Sequence, residues 1–183
     1  MVNRKRLNIL LVIYSILIIW TLLFKANIPR FVHIALIQTT SFGDRLTSSL
    51  IPFQKLIRDI REGSIVEPIL FVLNFILLIP LGILLPFYLL KKNALIAIVA
   101  FSVGMELVQL FTCLGGLETI DIITNSLGGF AGVWMYSRFR PKIKDETVDR
   151  VCLWVNCIFA PLAVYALINT ALALPRYIQF WIN

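Results

Sequence analysis

Glu106 and Asp121 are the side chains here best placed to do chemistry, because each carboxylate interrupts a long apolar run. Ser102, Glu106, Gln109 and Cys113 are spaced 4, 3 and 4 apart, which on a helix puts them on one narrow stripe. After a short Gly-rich link, Asp121, Asn125, Gly128 and Gly132 repeat that spacing. Helices joined by so short a link run antiparallel, so the two stripes can face each other. Two carboxylates held there could serve as acid and base if burial split their proton affinities. Equally, a few convergent polar groups in an apolar cavity suit the head of an amphiphile. The plain alternative is helix packing. Buried Glu, Asn and Gln bond neighbouring helices together at about 0.6 kcal/mol each, and Gly128 with Gly132 is a small-xxx-small pair that lets backbones approach. Glu118 and Asp121 would also favour a helix start through its dipole.

The elements that hold these residues are read from composition and patterning. Hydrophobic residues make up 59% of the 183 and charged residues 15%, against about 25% charged in a soluble domain. Mean hydropathy is +0.87, and the apolar residues come in runs long enough to span a bilayer. No charged segment is long enough to fold alone, so a single membrane domain over 1–183 is expected. The net charge of +7 does not point to nucleic acid, since the basic residues sit in short loops between apolar runs. His33 is the single histidine, and Cys113, Cys152 and Cys157 lack metal-ligand spacing. No metal and no cofactor is expected, and the cysteines are read as small apolar packing residues.

The expected fold is an all-α integral membrane protein with five transmembrane helices, over about 7–24, 68–90, 94–113, 119–136 and 151–174. Arg4, Lys5 and Arg6 precede the first run, which is longer than a signal-peptide core and has no Ala-x-Ala-like site after it. Between the first and second spans, Leu46, Leu50, Phe53, Ile57 and Ile60 recur at helical spacing. They predict an amphipathic helix over 46–62 lying on the membrane surface; a loop packed on the helix ends is the alternative. Pro161 is expected to bend the last span, and Tyr177, Phe180 and Trp181 to anchor the tail at the interface. With the N-terminus inside, inner segments hold ten basic residues and outer segments seven, six of those in 25–66. The link at 114–118 has none. The N-terminus is therefore expected in the cytoplasm and the C-terminus outside.

That topology brings Asn74, Ser102, Glu106, Gln109, Asp121 and Asn125 toward one level, in a polar pocket opening to the outer leaflet. Charged side chains in hydrocarbon cost about 2.5–3.5 kcal/mol on insertion scales, so they face a bundle interior or water.

Three ordered motifs carry a family resemblance over roughly 50–137: Asn74 through Pro80, Gly82 and Pro86; Ser102-x-x-x-Glu106-x-x-Gln109; and Asp121-x-x-x-Asn125-x-x-Gly128-x-x-x-Gly132. Together they resemble the VanZ-like family, and Leu50-Ile-Pro52-Phe53 is similar to that family's Asn-Leu-Ile-Pro-Phe segment. One place departs. Where the family often has Arg-x-x-Asp-x-x-Asp, this chain has Gly115, Glu118 and Asp121, so the arginine is missing. The resemblance implies an integral membrane protein of the cell envelope and a link to resistance against teicoplanin. It leaves three readings open: binding of a membrane lipid or a lipoglycopeptide, catalysis on a lipid-linked envelope substrate through Glu106 and Asp121, or transport. A homo-oligomer, which would supply more helices to a transporter, is also left open.

Overall fold

The computed structural model describes residues 2–24, 51–112 and 116–182. Their elements are helices: α1 (Arg4–Phe24), α2 (Gln54–Arg61), α3 (Val66–Leu84), α4 (Lys91–Phe111), α5 (Thr119–Phe139) and α6 (Asp145–Ile182). Short 3₁₀ turns follow α3 at Leu85–Phe87 and α5 at Arg140–Lys142. No strand occurs among the described residues. α1, α3, α4 and α6 are each long and apolar enough to cross a membrane.

The expected span over 119–136 forms a helix of matching length, but α5 is not among those four. Asp121, Thr124, Asn125, Ser126 and three glycines dilute its apolar content. Of the 46–62 stretch expected to be a surface helix, 54–61 is helical as α2, while 46–50 lie outside the described residues. α6 runs unbroken for 38 residues through Pro161 and Pro175, well beyond the expected 151–174. The expected aromatic tail is thus part of the helix, and nothing is described of its side chains.

The helices divide into two compact units, α1 with α6 and α2 through α5. In the first, Asn3 caps α1 by accepting the backbone N–H groups of Lys5 and Arg6 at 3.1 and 3.3 Å. Leu7, Leu10, Tyr14, Ile18 and Leu22 make one buried stripe along α1. Small residues on α6, Cys152, Ala163 and Ala166, are buried in the same unit, and small side chains let membrane helices approach closely. The Asn3 N–H donates to Asp149 Oδ1 at 2.7 Å and Asn156 Nδ2 to the Arg6 carbonyl at 3.1 Å. Tyr14 meets Phe159 and Trp20 meets Tyr165. Residue numbers rise together on both helices, so α1 and α6 run parallel. Of the cysteines expected to pack, Cys152 is buried and Cys157 exposed; Cys113 lies outside the described residues.

In the second unit, Gly63 turns the chain from α2 into α3 with φ of 72°, a region glycine enters at no steric cost. Asp59 covers the start of α3, accepting from Ser64 Oγ at 3.1 Å and from the Glu67 N–H at 3.4 Å. α5 packs against both α3 and α4. A Cβ at Gly128 would come within 2.8 Å of the Phe75 carbonyl carbon, and one at Gly132 within 2.8 Å of Gly82 Cα. α3 and α5 therefore touch backbone to backbone. Residue pairs 75 with 128 and 79 with 132 show these two helices parallel. On the other side of α5, Gly129 faces the Ile98 side chain of α4.

Candidate functional site

Polar residues are buried in this unit beside an apolar core that includes Leu78, Ile98 and Val133, while many other apolar side chains face outward. Ser102, Glu106 and Gln109 on α4 are buried at 0%, 2% and 4% exposure, and Asp121, Thr124 and Asn125 on α5 at 8%, 0% and 1%. Meanwhile Ile69, Val72, Leu73 and Ile76 of α3 and Trp134 of α5 are exposed. In hydrocarbon this is the low-energy arrangement, since apolar side chains lose nothing to lipid while polar ones need partners.

The helices carrying the two expected stripes do meet, but Gly128 and Gly132 of the second stripe face α3 rather than α4. Glu106 Oε2 accepts the backbone N–H of Glu118 at 2.8 Å, satisfying one of the donors that a helix start leaves free. Ile98 meets Gly129 further along, so α4 and α5 run antiparallel. Ser102, midway between 98 and 106, then lies at the level of Thr124 and Asn125. Thr124 Oγ1 donates to the carbonyls of Ile120 and Asp121 at 3.0 and 3.2 Å and is satisfied within its own helix. Ser102 Oγ and Asn125 Oδ1, together with Ser126 Oγ, are buried without a hydrogen-bond partner. Such atoms cost free energy unless something else reaches them. Asn74 on α3 is half-buried and, among the described residues, no hydrogen bond draws it into this cluster.

Lys55 is the contributor that spacing did not reveal. Its ammonium donates to Glu118 Oε1 at 2.5 Å, with side chains 29% and 13% exposed. The pair joins residues 63 apart in sequence, too far for any periodicity to signal. Lys55 was legible only as one charge on an amphipathic segment. α2 turns its charged groups Lys55 and Asp59 toward the protein and leaves Phe53, Ile57 and Ile60 exposed. A separate depression of about 650 Å³ beside α2 is lined by Ile51, Pro52, Gln54, Ile57, Arg58, Arg61 and Glu62 and includes none of the α4–α5 cluster. No group of His, Cys, Asp or Glu among the described residues is arranged to hold a metal ion.

The family model for VanZ/LLP1 matches residues 11–140. The chain belongs to the VanZ/LLP1 family. The match starts well before residue 50, where the motif resemblance begins, and takes in α1 as well as the polar helices. Protein VanZ of Enterococcus faecium is 27% identical over 154 residues, covering 81% of this chain and 84% of that protein. No solved structure matches the chain significantly. Membership of VanZ/LLP1 and the four long apolar helices make this an integral membrane protein.

Proposed function

We propose that the chain binds an amphiphile from the outer leaflet through the α4–α5 polar cluster, and so contributes to resistance against teicoplanin-type lipoglycopeptides. The observation carrying this reading is the pair of buried, unpartnered atoms Ser102 Oγ and Asn125 Oδ1 beside Glu106 and Asp121. A scaffold needing only helix-to-helix bonds would satisfy those atoms within the protein. The likeness to Protein VanZ of Enterococcus faecium and the resemblance set out above support the link of the chain to teicoplanin.

Five crossings, with the N-terminus inside, are part of the proposal. The parallel pairing of α1 with α6 supports them. If α3 and α4 alone crossed between those two, α6 would run opposite to α1; a crossing by α5 restores the observed direction. With that topology the α4–α5 link, Glu118 and Lys55 stand at the outer surface, and the basic 138–150 segment stands inside as charge asymmetry favours.

Teicoplanin susceptibility of cells expressing the wild type or Glu106→Gln, measured beside the yield of folded protein in detergent, tests the reading. The expected result is lost resistance at unchanged yield. Unchanged resistance, or resistance and yield falling together, would place Glu106 in the scaffold instead.

A further inference from the structure

Independently of the α4–α5 cluster, we infer that α2 is a docking site for an anionic phospholipid, whose phosphodiester head with hydroxyl donors is held by Arg58 and Arg61. α2 sorts its side chains into three stripes. Lys55 and Asp59 turn inward: Lys55 donates to Glu118, while Asp59 accepts from Ser64 Oγ and from the Glu67 N–H. Gln54, Arg58 and Arg61, spaced 4 and 3, share a second stripe and are exposed. Arg58 comes only to 4.0 Å of Asp59 and keeps 62% of its side chain exposed. Phe53, Ile57 and Ile60 repeat the 4 and 3 spacing beside the arginines and are exposed as well. One side of the helix is thus bonded to the protein, and a basic and an apolar stripe lie side by side on the rest. The helix ends at Arg61, and the membrane-length apolar span Glu67–Phe87 begins six residues later. So close to the end of a span, α2 stands at the level of lipid headgroups. There the apolar stripe enters the acyl boundary while the basic stripe stays among phosphates.

The depression of about 650 Å³ beside α2 lies on that outward side, and its volume is within the roughly 300–1,000 Å³ of ligand clefts. Gln54, Arg58 and Arg61 line it together with Ile51, Pro52 and Ile57. A guanidinium is a planar fork of donors that matches a phosphate, and the Gln54 amide adds donors of its own. Glu62 is in the same lining. Two guanidiniums against one carboxylate leave a net single positive charge, which one phosphodiester balances, and Glu62 can accept a hydroxyl of the head. A phosphatidylcholine head carries its own cation and no donor, so it meets neither requirement. The apolar lining favours a head that carries acyl chains over a soluble phosphate. The chain's own 25–50 segment is a poor occupant by charge, since it holds Lys25, Arg30 and Arg45 against Asp44 alone.

Full-length protein in a neutral maltoside detergent can be offered equal amounts of dioleoyl phosphatidylglycerol, phosphatidylethanolamine and phosphatidylcholine, with native mass spectrometry reading which lipid is retained. Phosphatidylglycerol should be preferred over both others. Arg58→Gln and Arg61→Gln should each lower that preference about fivefold, the factor that ~1 kcal/mol per basic residue makes, and Arg61→Lys should keep most of it. Lys91→Gln and Lys92→Gln, exposed at the start of α4, remove the same charge and should leave the preference unchanged. Melting of each variant is recorded; Arg61→Gln alters one exposed side chain and keeps the test open if Arg58→Gln disturbs Asp59. An equal fall for the lysine variants makes the preference a matter of net charge and overturns the site. Equal retention of phosphatidylethanolamine or phosphatidylcholine overturns the anionic assignment. Displacement of phosphatidylglycerol by millimolar glycerol phosphate overturns the lipid as its source. Each of these outcomes leaves amphiphile binding at the α4–α5 cluster to its own test.

Discussion

Adding one methyl group at Gly128 should separate α3 from α5. The new Cβ would lie 2.8 Å from the Phe75 carbonyl carbon and closer still to its oxygen. Carbon atoms rest comfortably at about 3.5–4.0 Å, so the two backbones would have to part by roughly 1 Å. No flexible side-chain end is there to yield. Overpacking costs about 1–3 kcal/mol and sometimes more, and the backbone contact puts Gly128→Ala at the upper end. Against this, alanine gains about 1 kcal/mol over glycine inside a helix, leaving a net loss near 2 kcal/mol. Two other glycines supply controls in the same molecule. At Gly129 the methyl would meet only Ile98 side-chain atoms, the nearest at 2.5 Å, which can rotate aside, so Gly129→Ala should cost less. At Gly104 nothing lies within 4 Å, and Gly104→Ala should stabilise by up to about 1 kcal/mol. Unfolding in mixed micelles, followed by far-ultraviolet circular dichroism, ranks the three. Equal shifts for Gly128→Ala and Gly104→Ala would refute the backbone contact between α3 and α5.

Glu106→Leu should lower unfolding free energy by about 1–3 kcal/mol, because the Glu118 N–H loses its acceptor, whereas Glu106→Gln keeps an oxygen there and should melt near wild type. A double-mutant cycle of Lys55→Gln and Glu118→Gln should return a coupling of about 1 kcal/mol or less, fitting a part-exposed pair; strict additivity would dissolve the link between α2 and α5. Cysteines introduced at Gly116 and Lys142 report topology on intact cells with an impermeant thiol reagent. Position 116 should label and position 142 should not, and the opposite pattern would invert the outward-facing site.

Both polar stripes were legible because a helix's period is fixed. Spacing of 4, 3 and 4 is enough to put Ser102, Glu106 and Gln109 on one face and Asp121 with Asn125 on another, and the short link dictates that the two helices run antiparallel, but not that Gly128 and Gly132 turn to α3. Burial of Thr124 escaped that logic, since a threonine bonded to its own helix leaves no mark in the pattern. Gly82 was visible in the sequence, but its opposite number was not: only the assembled helices show it against Gly129 and Gly132. Lys55 was hidden by distance along the chain. The extent of α6 was underread because Pro161 and Pro175 argue locally for a bend and an end. In a membrane, neighbouring helices and local adjustments can re-satisfy the carbonyls a proline frees, and the helix continues. α5 shows the converse. Its polar and glycine content, which supplies half of the candidate site, is what keeps it out of the set of helices long and apolar enough to cross a membrane.

The parallel pairing of α1 with α6 sets an order of events during synthesis. α1 is made well before α6, yet its buried stripe from Leu7 to Leu22 belongs against that helix, which begins at Asp145. About 120 residues must be translated in between, which at ~5–20 residues per second takes on the order of ten seconds. In water an unpaired apolar stripe of that kind would aggregate within such an interval. In lipid it loses little by waiting, because acyl chains are as apolar as leucine. The unit formed by α2 through α5 is contiguous in sequence and can close as it emerges, whereas α1 and α6 can pair only after that unit has been made.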